Sequence, residues 1–140
     1  MHLLDSDTIS HLHAGHPRVV SNLKAVADSE VGTTIVSKIE ILRARYEFVM
    51  KASDGQQLLN AQHWRQLSER LLAGMLVVPF DVAAAYQFDL LRIAARRRRI
   101  GRADLLIASI ALANSATLVT RNIRHFQQIP NLRIVNWVDQ

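Results

Sequence analysis

Residues 3–10 read LLDSDTIS. The four-residue apolar start that Asp5 closes reads as a strand over 2–5, and the segment from about Asp7 to Ala14 reads as a short helix. A strand passing straight into a helix opens a βα unit, the building block of a parallel sheet. The same stretch poses an electrostatic problem. Two carboxylates about 4 Å apart repel by roughly 4 kcal/mol at an effective dielectric of about 20. Either something offsets that repulsion at Asp5 and Asp7, or the two side chains point apart.

Working outward, Gly15 stops the first helix and Pro17 opens a second over 17–29. GTTIV at 32–36 has the β-branched content of a second strand. Ile39, Leu42, Tyr46, Val49 and Met50 mark a helical stripe over 37–52, and SDG at 53–55 interrupts it. Leu58, Leu59, Leu67, Leu71 and Leu72, with Trp64, mark a helix that ends near Gly74. MLVVPF at 75–80 is a third strand, and Asp81 caps a helix running to the arginines of 96–99. From Gly101 the run RADLLIASIALA is apolar almost all round, the mark of a helix over 102–114 buried against a sheet. TLVT at 117–120 and RIVNW at 133–137 supply a fourth and a fifth strand. Strands and helices in alternation predict an α/β fold with a parallel sheet.

A chain of 140 residues without a linker or repeat predicts one domain over 1–140, burying roughly two-thirds of the surface its unfolded form exposes. With no cysteine, disulfides and thiolate metal sites are excluded, and a reducing compartment, the cytoplasm, is expected. No apolar run approaches the roughly 20 residues that span a bilayer, and the first residues lack the pattern of a secretion signal. Lys plus Arg total 17 against 12 Asp plus Glu, and 14 of those cations are arginine, whose planar fork suits phosphate or carboxylate. A nucleic acid or an acidic protein is the expected partner.

Ligands of open parallel sheets sit at the carboxyl ends of the strands. Asp5, Asp7, Glu40, Asp104 and Asn122 all fall at or near such ends, or in the helix starts that follow. Several have ordinary structural duties available. Asp7 can cap its helix, Ser37 and Glu40 form an S-x-x-E capping box, and Asp104 suits the first turn of a helix. Yet Asp104 is followed by LLIAS, which implies burial, and a carboxylate beside buried surface needs a partner. Asp5, at the end of a strand expected to be central, has the weakest ordinary explanation. Converging carboxylates are what Mg²⁺ or Mn²⁺ requires, and such an ion offsets the repulsion between them. Two such ions about 4 Å apart can activate a water and stabilise a leaving oxygen in phosphodiester hydrolysis.

LLDSDTISHL, TTIVSKIEIL, IGRADLLIASIALA and TLVTRNIRHF, in that order over nearly the whole chain, resemble the PIN-domain ribonucleases, in particular VapC-like toxins of type II toxin–antitoxin pairs. The resemblance implies a PIN-like three-layer domain with a parallel sheet of order 3-2-1-4-5 and an endoribonuclease dependent on Mg²⁺ or Mn²⁺. It also implies a homodimer silenced by a cognate antitoxin. Carried over by position, Asp5, Glu40 and Asp104 match the family's catalytic acids, with Asp5 and Asp104 as metal ligands and Glu40 orienting the attacking water. Asp7, Thr120 and Asn122 are supporting groups. Asn122 stands where many members have a fourth acid, so one firmly held metal is expected. The same resemblance implies that helices within 37–74 shape a groove or partner surface.

The arginines at 96–99 suit a helix C-terminus, and phosphate contact or antitoxin docking are their functional alternatives. Arg102, Arg121 and Arg124 flank the acidic positions and are the candidates for gripping RNA. His11, His13 and His16 read as surface groups, because helical placement sets His11 and His13 about 200° apart. The aromatic residues are scattered in sequence, so no base-stacking platform is legible. Two competing functions remain. DSDTIS resembles the aspartyl-phosphate motif of haloacid-dehalogenase-like phosphatases, but position 9 is Ile rather than Thr and no lysine follows Lys51. A catalytically inactive PIN domain that only binds RNA or antitoxin is the other.

Overall fold

The computed structural model describes residues 1–95 and 99–140, so Arg96, Arg97 and Arg98 of the expected basic run lie outside the described residues. The chain begins with strand β1 (His2–Leu4) and passes through helices α1 (Ser6–His13) and α2 (Pro17–Ala25) to β2 (Val31–Thr34). Helices α3 (Ile35–Lys51) and α4 (Gly55–Ala73) lead to β3 (Leu76–Val78). After them come α5 (Val82–Ala95), α6 (Arg102–Ala113), β4 (Thr117–Val119), α7 (Ile123–Phe126) and β5 (Arg133–Val135). All strand pairs are parallel and the sheet order is β3-β2-β1-β4-β5, as the resemblance implied.

β1 is the central strand, and successive residues on it face opposite layers. Leu4 packs with Ile9, Val19, Ile41, Leu72 and Val119, under the helices α1 to α4. Leu3 packs with Val78, Ala84, Ile110 and Ala111, under α5 and α6. Leu118 of β4 joins Ile107, Ala108, Phe126 and Ile129 on that second side. This is the two-residue alternation of a sheet covered on both faces. α6 is buried from Ile107 through Ala111, which explains its lack of a polar face. Among the described residues no helix is long and apolar enough to cross a membrane.

Several expected boundaries shift, each for a local reason. The strand expected over 32–36 is Val31–Thr34, because Thr34 caps α3: its hydroxyl accepts from Ser37 N at 3.0 Å, which turns Ile35 and Val36 helical. The second helix ends at Ala25 rather than at 29, where Val26 becomes extended and Asp28 accepts from Glu30 N at 2.9 Å to form a turn. The third strand stops at Val78 because Pro79 has no N–H for the ladder. The fifth stops at Val135, where Asn136 Oδ1 accepts from Val138 N and Asp139 N. Helix α7 had no sequence signal. Gly15, at a φ of +74°, ends α1 in the left-handed region as expected.

At Gly32 the neighbouring strand comes unusually close. A β carbon there would stand 2.2 Å from the Leu76 carbonyl oxygen and 2.7 Å from Leu76 Cβ. Gly32→Ala is therefore expected to push β3 away from β2 and to lower stability by about 2 kcal/mol, read by urea unfolding. An alanine variant as stable as the parent would show that the edge strand moves freely.

Candidate active site

The strand ends gather the polar residues singled out above. Asp5 follows β1 directly, its N–H still bonded to Val119 O of β4 at 3.0 Å. Asp5 is only 9% exposed, and its carboxylate accepts from Thr8 N at 2.8 Å. Asp5 is thus the N-cap of α1, the duty the sequence suggested for Asp7. Burial pushes the Asp5 carboxyl above its ordinary value, while hydrogen bonds from Thr120 and Thr8 pull the other way. Asp7, in the first turn, is exposed, and its Oδ2 lies 3.5 Å from His11 Nδ1. The two acids of the opening stretch therefore divide: one turns inward and one faces solvent.

The capping box expected at Ser37 and Glu40 is absent, because Thr34 holds the cap and both residues lie inside α3. Glu40 is left without that duty, and no hydrogen bond or ion pair engages it among the described residues. Its carboxyl is pushed up by burial first, then by the charges of Asp104 and Asp5, with Arg43 opposing. Those charges reach Glu40, in the second turn of α3, from the end of β1 and the first turn of α6, so the three acids lie within electrostatic reach of one another.

Asp104, in the first turn of α6, receives His125 Nδ1 at 3.2 Å from Oδ2. Nothing in the sequence signals His125, because the contact depends on α7. Thr120 is fully buried, bonds Asp5, and accepts from Asn122 N at 2.9 Å. Asn122 places its side-chain nitrogen 2.8 Å from His125 Nδ1.

The cations stand around this region with differing freedom. Arg121 makes a forked contact with Asp139 at 3.1 and 3.2 Å. Arg102 lies over the Phe88 ring at 5.9 Å, and Phe88 meets Phe80 edge-on, so two of the scattered aromatics do come together. Arg124 and Arg99 are exposed. The histidines of 11–16 diverge: His11 pairs with His16, whereas His13 packs against Trp64 on α4. A groove of about 710 Å³ opens between α1, α3 and α4, lined in part by Ala14, Arg45, Phe48 and Trp64.

The donor set fits a hard divalent cation in a particular way. Mutually repelling carboxylate oxygens with no cation paired to Asp5 or Glu40 among the described residues are the chemistry such an ion seeks. Among the described residues, no three carboxylate or imidazole groups are drawn tightly enough to enclose a bare ion.

Residues 2–132 match the family model of the PIN domain. The chain is 30% identical to Ribonuclease VapC2 of Rickettsia felis over 140 residues, 98% of each chain. Among solved structures it resembles VapBC2 from Rickettsia felis bound to a DNA fragment from their promoter, with TM-score 0.78, 26% identity and 97% and 98% of the two chains covered. It also resembles FitAcB from Neisseria gonorrhoeae, with TM-score 0.73, 27% identity and full coverage of both. With the strand order and the acids at the strand ends, these matches place the chain in the PIN-domain family, among its VapC-like members.

Proposed function

We propose that this chain is an endoribonuclease dependent on Mg²⁺ or Mn²⁺, acting as the toxin of a toxin–antitoxin pair. The observation that carries this reading is the convergence of Asp5, Glu40 and Asp104 from three separate elements. Asp5 and Asp104 hold the ion, directly or through its waters. When bound, the ion supplies a Lewis acid at the phosphate and makes a nearby water more acidic. Glu40, half-buried and with its proton affinity raised, orients a water and takes its proton on a carboxylate oxygen. That water attacks the scissile phosphorus and the bond to the ribose O3′ breaks, the departing oxygen taking a proton from solvent water, which leaves 5′-phosphate and 3′-hydroxyl ends. Thr120 steadies Asp5, Asn122 leans on Thr120, and Asp7 lies at the rim. Arg102, Arg121 and Arg124 contact RNA phosphates.

The likeness to the solved VapBC2 and FitAcB structures supports an antitoxin partner here. The groove between α1, α3 and α4 is its seat, with Phe48 and Trp64 supplying apolar surface. A second copy of the chain covers the exposed stripe of Val82, Tyr86, Leu90 and Ile93 on α5, which recurs at helical spacing.

Incubating the purified chain with a mixed RNA pool tests the reading. Cleavage is expected in Mg²⁺ or Mn²⁺, none in excess chelator, and recovery when metal is restored. Cleavage that persists in chelator refutes the metal dependence. RNA bound but intact in either metal makes the chain a binding module instead.

A further inference from the structure

His125 is not one of the acids just described, yet it joins one of them to Asn122. Its Nδ1 lies 3.2 Å from Asp104 Oδ2 and 2.8 Å from the Asn122 side-chain nitrogen. An ionised carboxylate only accepts hydrogen bonds, so a favourable contact with Asp104 requires the proton on Nδ1. A half turn of the Asn122 carboxamide, which exchanges its nearly identical ends, brings its oxygen to the same hydrogen. The Asn122 N–H is held in turn by Thr120 Oγ1 at 2.9 Å, and the Thr120 hydroxyl bonds Asp5. Asp104, His125, Asn122 and Thr120 are thus linked in turn, the last contact being made by the Asn122 backbone N–H.

We propose that His125 is a positioning residue for Asp104: its Nδ1–H, clamped by Asn122, fixes the rotation of the Asp104 carboxylate and leaves the second oxygen free for the ion. This inference rests on the metal-dependent reading above. The ring is not needed for packing, since its side chain is 55% exposed. What matters is a donor at one place. Asparagine sets its amide nitrogen where Nδ1 stood, glutamine reaches only to the place of Nε2, and alanine supplies no donor.

The test is Mn²⁺ binding to the full chain without RNA, followed by the paramagnetic resonance of the free ion. His125→Ala is expected to weaken binding about 10- to 100-fold, the usual cost of losing a partner that orients a ligand. His125→Gln should resemble it, and His125→Asn should stay close to wild type. Circular dichroism should be unchanged in all three. Equal affinity in wild type and His125→Ala overturns the proposal, and so does a His125→Asn variant as weak as alanine. Either result leaves the metal reading standing, provided that Asp104→Asn has lost the ion. A wild-type chain that binds no Mn²⁺, or an Asp104→Asn variant that binds it normally, overturns both.

Discussion

Asp5→Asn is expected to lower metal-dependent RNA cleavage about 10³-fold, the several kcal/mol that metal catalysis supplies, while leaving the protein folded. The two effects separate because Asp5 has two duties. As the N-cap of α1 it accepts from Thr8 N at 2.8 Å, and asparagine caps a helix about as well. As a buried acid it meets a neutral substitute that cannot give a cation a full charge. Stability should even rise. The Asp5 carboxyl titrates above its ordinary value of 3.8 because burial penalises the ionised form. At pH values above its folded-state value the charge therefore costs stability, and that cost fades as the pH falls toward 3.8. The amide never carries it. Thermal unfolding at neutral pH without metal should place Asp5→Asn at or above wild type, and added Mg²⁺ should raise the wild type alone. Asp104→Asn should lose cleavage to a similar degree. Full activity in both variants refutes the assignment.

Phe126→Ala is expected to cost about 4 kcal/mol, within the range for emptying a buried aromatic site, and to lower the melting midpoint by more than about 10 °C. Phe126 is 2% exposed and packs with Ile107, Ala108, Leu118 and Ile129, so it pins α7 to α6 and to the sheet. The four-residue helix it ends has no side-chain cap. An isolated turn of that length does not hold itself. Losing the ring therefore also loosens Asn122 and His125, and cleavage should fall with stability. Phe126→Leu should recover most of both. Urea unfolding decides the matter: an alanine variant within about 1 kcal/mol of wild type would show that the α7 packing is dispensable.

The βα alternation was legible because short apolar runs alternate with longer helical stripes, and α6 is buried on a nearly uninterrupted apolar run. The order of the sheet was not; it came from the resemblance. Element ends were harder to read, because single hydrogen bonds set them: the Thr34 hydroxyl turned Ile35 and Val36 helical against their β-branched preference. The same kind of detail moved the cap of α1 from Asp7 to Asp5, two acids that differ only in where the chain bends. Asp5, Glu40 and Asp104 stood out as acids at or near strand ends or in the helix starts that follow. His125 did not, because its meeting with Asp104 across 21 positions depends on Phe126 seating α7.

The central strand draws its two neighbours from opposite ends of the chain. His2 aligns with Val31 on one side and with Thr117 on the other. During synthesis the first of these pairings can form early, but Asp104 and Thr120 follow Asp5 by 99 and 115 positions. At about 5 to 20 residues per second, the interval between Asp5 and Thr120 lasts about 6 to 23 s. On the proposed reading, a growing chain carries its first acid through that interval without the residues that complete the site, so hydrolysis waits until Thr120 has emerged.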